Sequence, residues 1–327
     1  MEITTIILQN QSGLRMEVTN YGATLMRLQV PDKEGNATDV VIGLPNAESY
    51  SKAPYQKYNF YLGATVGRYA GRISGGGFTL DNTFYEIFHR EGIQLHGGIS
   101  SLDKQIWEVL EVHQGDDPFV IFKTQSAKGH NGFPGTIAVF AKYQLQQTEL
   151  QITYTATTDA PTVLNLTNHA YFNLNGKGSV AGHELFINAS EILEVDERLI
   201  PTGRFLKTEE TPYEYQKPNS LHFKGHFGLD TPFVLKKGVP KAQLSSKTTG
   251  ITMEVETNQP GLVVFTPQDF KPLSIRDKSS YASFPAICLE CQNFPDAPNN
   301  PNFPTSILSP NEIYENSIQY KFGINAS

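Results

Sequence analysis

Apolar residues recur at every second position through much of the chain. Leu14, Met16 and Val18 alternate with Arg15, Glu17 and Thr19, and Met26, Leu28 and Val30 alternate with Arg27 and Gln29. Longer runs follow: Ile137, Val139, Ala141, Tyr143 and Leu145, then Leu150, Ile152, Tyr154 and Ala156, then Ile251, Met253 and Val255. A period of two puts successive side chains on opposite faces of an extended backbone, so each run predicts a strand with one buried face. Turn residues punctuate the runs, as SGGG at 74–77, NGFPG at 131–135 and PTG at 201–203. Many short strands between such turns predict an all-β fold, a sandwich or a barrel. No segment predicts a helix longer than a turn or two; residues 191–198 are a weak candidate. No linker, repeat or charge block divides the 327 residues, and one domain spanning 1–327 is expected. Residues 295–310 are rich in proline but carry Phe294 and Phe303 beside and among the prolines, which reads as an ordered surface loop.

Composition narrows the functional classes. Hydrophobic residues make up 39% and charged residues 18%, a globular balance. Net charge is -7 and the 26 basic residues are scattered, which argues against nucleic acid and anionic membrane as partners. The N-terminal residues lack a leader pattern and no apolar run approaches the ~20 residues of a membrane span, so a cytoplasmic protein is expected. Monomer and homodimer fit the pattern equally. The two cysteines, Cys288 and Cys291, form a C-x-x-C. A redox pair needs a helix start and a zinc site needs two more ligands nearby; neither is present, and these read as two ordinary thiols on opposite faces of a strand. Glycines 75–77 read as a hairpin turn, since no G-x-x-x-x-G-K-[ST] accompanies them. With no H-E-x-x-H and no G-x-S-x-G either, no metal or cofactor is expected.

Three places could carry chemistry. In residues 163–174, read as one strand, Leu164, Leu166, Ala170, Phe172 and Leu174 take one face, and Asn165, Thr167, His169, Tyr171 and Asn173 the other. Amide, hydroxyl, imidazole and phenol on one face suit a polyhydroxylated ligand, because each donates or accepts hydrogen bonds. The same face could instead be a solvated outer surface, although such surfaces usually carry Lys and Glu. Glu290 shares a strand face with Cys288 and Gln292, opposite Ile287, Leu289 and Cys291; it is either a surface charge or a catalytic carboxylate. His96 precedes Gly97 and Gly98, which allow a sharp turn or a close backbone approach. Arg68 and Arg72 could both be structural ion-pair partners.

Eight pieces, in order, resemble the aldose 1-epimerase family: NYGAT at 20–24, GRYAGRI at 67–73, LHGG at 95–98, GFPG at 132–135, TNHAYFNL at 167–174, PTG at 201–203, DTPFVL at 230–235 and CLECQNFPDAPNNPNFP at 288–304. The resemblance spans nearly the whole chain, and the last block is long and specific. It implies a large single-domain β-sandwich of the galactose-mutarotase type, acting without a cofactor on a free monosaccharide such as galactose or glucose. It implies Glu290 as catalytic base, His169 as general acid and His96 as a second histidine beside the ring oxygen. Arg72 and Asp230 match residues that hold sugar hydroxyls. Gly71 stands where the family usually has Asn, Thr231 where His is frequent, Val263 where some members have Gln, and Cys291 where Thr is frequent. Positions 71 and 263 bear on sugar preference, and a pentose could replace the hexose. Three further functions compete with this one: carbohydrate binding without catalysis, glycoside hydrolysis, which usually needs two carboxylates, and 1-epimerisation of a phosphorylated hexose.

Overall fold

The computed structural model describes residues 1–58, 60–223 and 228–325. Two antiparallel sheets face one another. The larger has nine strands in the order Glu108–His113, Phe119–Ser126, Ile137–Gln146, Glu149–Thr158, Tyr314–Ile324, Ile251–Thr257, Ala242–Ser245, Glu184–Ile187 and Asn219–Ser220. The smaller has six, in the order Tyr171–Phe172, Ile287–Gln292, Gly261–Phe265, Asp230–Val234, Glu191–Val195 and Pro201–Lys207. The predicted alternation is realised: Val139, Tyr143, Ile152, Tyr154, Met253 and Val255 from the large sheet share one core with Leu262, Val264, Ile287, Leu289 and Cys291 from the small one. A fully buried side chain of this kind contributes about 1.5–3 kcal/mol, and the interior is apolar enough to make the sandwich the stable layering. The expected all-β sandwich is the observed architecture. A four-stranded sheet, Thr5–Gln9, Arg15–Thr19, Thr24–Pro31 and Ala37–Asp39, packs on the same core.

Three local expectations need correction. Residues 191–198 form no helix; Glu191–Val195 is a strand paired on both sides, because sheet pairing outweighs a weak local preference. The α-helix Ala53–Lys57 is barely a turn, and no helix among the described residues is long and apolar enough to cross a membrane. Residues 163–174 are three short pieces, Thr162–Val163, Thr167–Asn168 and Tyr171–Phe172, each pairing with a different strand. The face assignment survives the breaks, since Leu164, Leu166, Ala170, Phe172 and Leu174 all enter the main core. Asn168 also lies within, donating to the Gly63 carbonyl at 2.9 Å and the Tyr143 hydroxyl at 3.1 Å. Finally, the 74–77 turn is not a hairpin. Arg72–Ile73 pairs with Gln94–Leu95 and Gly77–Leu80 with Thr83–Glu86, so the turn joins two ribbons.

The proline-rich segment is ordered as expected. Phe294 and Phe303 meet edge-on at 5.2 Å and pack with Leu193 and Ala297.

Candidate active site

A pocket of about 280 Å³ opens over the small sheet. Its floor comes from adjacent strands. Val263 is the cross-strand partner of Glu290 and Pro232 that of Val263, while Phe265 pairs with both Asp230 and Cys288. Period two carries Glu290 and Gln292 to the same face, and both line the pocket. Glu290 is 3% exposed; Oε1 lies 3.5 Å from His169 Nε2, and Oε2 has no hydrogen-bond partner among the described residues. Burial drives its carboxyl well above the usual range, the Asp230 charge adds to this, and Arg72 opposes it. Burial likewise raises Asp230, again against Arg72.

His169 is fixed by its own backbone: its N–H donates to Ala64 at 3.0 Å and its carbonyl accepts from Gly63 at 2.9 Å. The ring stacks on Tyr171 at 5.0 Å. Burial lowers His169 to about 4, whereas a value near neutrality is the expectation for a general acid. The cause is removal of the imidazolium from water with no full-strength ion pair in exchange. Nδ1 lies 3.6 Å from the Cys288 sulfur. Both cysteines are free and buried on opposite faces, as expected, yet Cys288 is more than an ordinary core thiol because it backs the His169 ring.

The wall is made of loops. His96 has φ +52°, a left-handed backbone that is strained for a non-glycine residue and concentrates at functional sites. Gly97 explains the two glycines that follow: a Cβ there would stand 2.3 Å from the Gly67 carbonyl oxygen, so only glycine lets the two loops touch. His96 Nδ1 accepts the Gly71 N–H at 3.1 Å, which places the proton of the neutral ring on Nε2. Burial, His169 and Arg72 all push His96 well below its ordinary value, so it stays a neutral donor. Tyr61 stands edge-on to His96 at 4.6 Å and stacked with His169 at 5.8 Å. Arg72 and Asp230 line the same pocket, so all five predicted residues converge. Arg68 is elsewhere: buried, it donates to the carbonyls of Ser126, Pro134 and Gly135 at 2.7–2.9 Å, a scaffold rather than an ion pair.

Ligand atoms of His96, His169 and Glu290 lie within 4.8 Å of one another, close enough for a metal ion. Binding through His96 Nε2 would move its proton to Nδ1, against the Gly71 donor, so the Gly71 contact favours hydrogen-bond donation over ligation. Of the four departures from the family pattern, Gly71 and Val263 line the pocket, while Thr231 does not and Cys291 faces the core.

Several pocket residues escape a reading of the sequence. Gln292 is 1% exposed, with Oε1 lacking a hydrogen-bond partner among the described residues; its place on the Glu290 face was the available signal. Tyr61, Phe60, Val195 and Leu199 reach the pocket from loops and a strand end with no periodic mark.

Residues 4–321 match the model of the aldose 1-epimerase family. The chain is 38% identical over 324 residues to galactose mutarotase from Rattus norvegicus, covering 95% of this chain and 92% of that one. It is 32% identical over 336 residues to aldose 1-epimerase from Escherichia coli (strain K12), covering 97% and 94%. Among solved structures, an aldose epimerase homologue from C. elegans superposes with TM-score 0.90 at 30% identity over 99% of both chains. Galactose 1-epimerase from Lactobacillus acidophilus NCFM does so at 0.88 and 27% identity, over 99% of this chain and 96% of that one. The chain belongs to the aldose 1-epimerase family.

Proposed function

We propose that this pocket interconverts the α and β anomers of a free aldose such as galactose or glucose by opening and reclosing the ring. The observation that carries this is the buried Glu290–His169 pair, 3.5 Å apart at the end of a pocket whose other polar groups suit hydroxyls. Glu290 takes the proton of the C1 hydroxyl while His169 gives one to the ring oxygen, and the C1–O5 bond breaks. The aldehyde turns about C1–C2 and recloses on its other face with the two roles reversed. General acid–base catalysis of this kind is worth about 10²–10⁴-fold.

The electrostatics fit this cycle in a specific way. The pair carries one exchangeable proton in either state. With a closed ring ready to open, Glu290 is ionised and His169 is protonated; with the open aldehyde, Glu290 is protonated and His169 is neutral. Burial raises Glu290 and lowers His169, so the site favours the second state. It thereby stabilises the high-energy open form relative to the ring. His96, held as an Nε2 donor, supplies a hydrogen bond to the ring oxygen without a change of charge. Arg72 and Asp230 hold hydroxyls through charge-assisted bonds, roughly twice as strong as neutral ones.

Polarimetry on freshly dissolved α-D-galactose and α-D-glucose tests this. The protein is expected to speed the approach to an unchanged final rotation. No acceleration with either hexose, with a pentose or with a phosphorylated hexose, at a concentration where the protein is folded, would remove the epimerase reading and leave carbohydrate binding alone.

A further inference from the structure

The proposed cycle depends on one ring nitrogen. His169 Nε2 lies 3.5 Å from Glu290 Oε1, and both residues line the pocket. A proton given from Nε2 leaves the neutral ring with its hydrogen on Nδ1, and the return step needs Nε2 bare. Either nitrogen of a neutral imidazole can hold the hydrogen, and the partner of the other one decides which does. Nδ1 has such a partner, Cys288 Sγ at 3.6 Å. Cys288 and Tyr171 are both buried beside this ring, and the cycle as written uses neither.

The two residues form a chain with a fixed direction. Tyr171 is the cross-strand partner of Cys288, and a side-chain hydrogen bond joins them. The Tyr171 hydroxyl donates to the Phe60 carbonyl at 2.7 Å. Burial drives the phenol and the thiol well above their ordinary values, so each keeps its one hydrogen. A carbonyl can only accept, so the hydrogen of Tyr171 is committed to Phe60. The Tyr171 oxygen must then accept the Cys288 S–H, and the sulfur must accept from Nδ1–H. With the S–H turned to Nδ1 instead, Cys288 and Tyr171 would face each other with no hydrogen between them. The His169 ring is also hydrogen-bonded to its own carbonyl, a contact that only Nδ1 is near enough to make and only as donor. We propose that Cys288 and Tyr171 are positioning residues that hold the hydrogen of neutral His169 on Nδ1 and keep Nε2 free to trade a proton with the sugar ring oxygen. The role in turnover rests on the epimerase reading. His96 is held the other way, with its hydrogen on Nε2, so the two pocket histidines carry opposite tautomers.

The test is ¹⁵N NMR of the histidine rings in the full chain near pH 7, with the His169 signals assigned as those that His169→Asn removes, beside galactose kinetics. Wild-type His169 is expected as the Nδ1–H tautomer. Tyr171→Phe keeps the ring and removes the oxygen that takes the thiol hydrogen. The S–H then turns to Nδ1, and the His169 hydrogen should move to Nε2. With it kcat should fall about tenfold, as for one neutral hydrogen bond set against the reacting tautomer, while KM stays nearly unchanged. Adding Cys288→Ala to Tyr171→Phe removes the misdirected S–H, so the hydrogen should return to Nδ1 through the ring's own carbonyl. Cys288→Ser, whose hydroxyl can accept and donate in the same order, should keep both tautomer and rate. A packing role alone predicts no change of tautomer and a double variant worse than the single one. His169 found as Nε2–H in wild type, or as Nδ1–H in Tyr171→Phe whatever its rate, overturns the proposal. A tautomer shift with unchanged kcat overturns the positioning role. If no aldose is accelerated, the epimerase reading fails on its own, and the hydrogen-bond chain is then judged by the tautomers alone: the shift and its return support it, and a fixed tautomer overturns it.

Discussion

The floor and the wall of the pocket are built by different means. On the floor, Glu290, Gln292, Val263 and Asp230 stand on paired strands, and ladder register sets their spacing. On the wall, His96, Tyr61 and Gly71 sit in loops, and all three have positive φ, +52°, +55° and +84°. The floor is buried to the point that its acid resists ionisation. The wall uses backbone strain to present one donor, His96 Nε2, in a fixed tautomer. The two histidines divide accordingly. His169, beside Glu290 and backed by Cys288, can exchange a proton within a pair, whereas His96, with Nδ1 taken by the Gly71 N–H, can only donate.

The largest expected effect lies on the floor. Glu290→Gln keeps the shape, removes the base and should lower kcat by about 10²–10⁴. The same variant should be more stable, and pH sets by how much. Native Glu290 holds its proton well above 4.5, while the unfolded chain releases it near 4.5. Native stability is therefore lost as pH rises above that value. Gln carries no such cost, so the gain in Tm should grow as pH rises above 4.5. His169→Asn should show the opposite slope. The native ring has its pKa at about 4 and the unfolded one near 6.5, so wild type loses stability as pH falls from 6.5 towards 4, and the Asn variant should escape that loss. Thermal melts across pH check both. Parallel slopes for the two variants would break the floor's assignment as a single-proton pair.

The contrast also explains what could be read from the chain. Strand residues such as Val139, Ile152 and Met253 are legible because a half-buried strand repeats every second residue, and Glu290 and Gln292 inherit their common face from the same rule. The 163–174 segment shows the limit of that rule: its faces are correct, but periodicity says nothing of three successive partners. The loops carry no period at all. The two glycines after it mark His96, but only motif resemblance gives His96 and Arg72 their roles, and nothing marks Tyr61. The fate of Arg68 against Arg72, four residues apart, depends on which carbonyls come near, a fact of tertiary packing.

A smaller effect should separate charge from geometry on the wall side. Arg72→Lys keeps the cation but loses the planar fork. KM for galactose is expected to rise about tenfold, with kcat falling less, because the guanidinium holds hydroxyls without moving a proton. An equal loss in kcat would move Arg72 into the proton-transfer step. For His96, the matching measurement is ¹⁵N NMR of the ring. Because burial holds His96 well below 6.5, the Nε2–H tautomer should persist from pH 6.5 upward with no titration, while a titrating His96 would erase the division between the two histidines.

The smallest expected effect sits where floor and wall meet. Gly71 has a backbone that favours glycine and, next, asparagine. A Cβ there would stand 3.2 Å from Gln292 Nε2 and 3.1 Å from Pro295. Gln292 lies in that gap, buried, with Oε1 lacking a hydrogen-bond partner among the described residues, which suits an amide poised for a sugar hydroxyl. Gln292→Leu should therefore raise KM about fivefold, the worth of one lost neutral hydrogen bond, with kcat nearly unchanged. Gly71→Asn returns an amide from the wall but crowds the floor, so it should rescue part of that loss in the Leu background while giving little or no gain alone. A double-mutant cycle reads this directly. Additive effects would mean that the two sites act on the sugar independently, and that the glycine does not make room for Gln292.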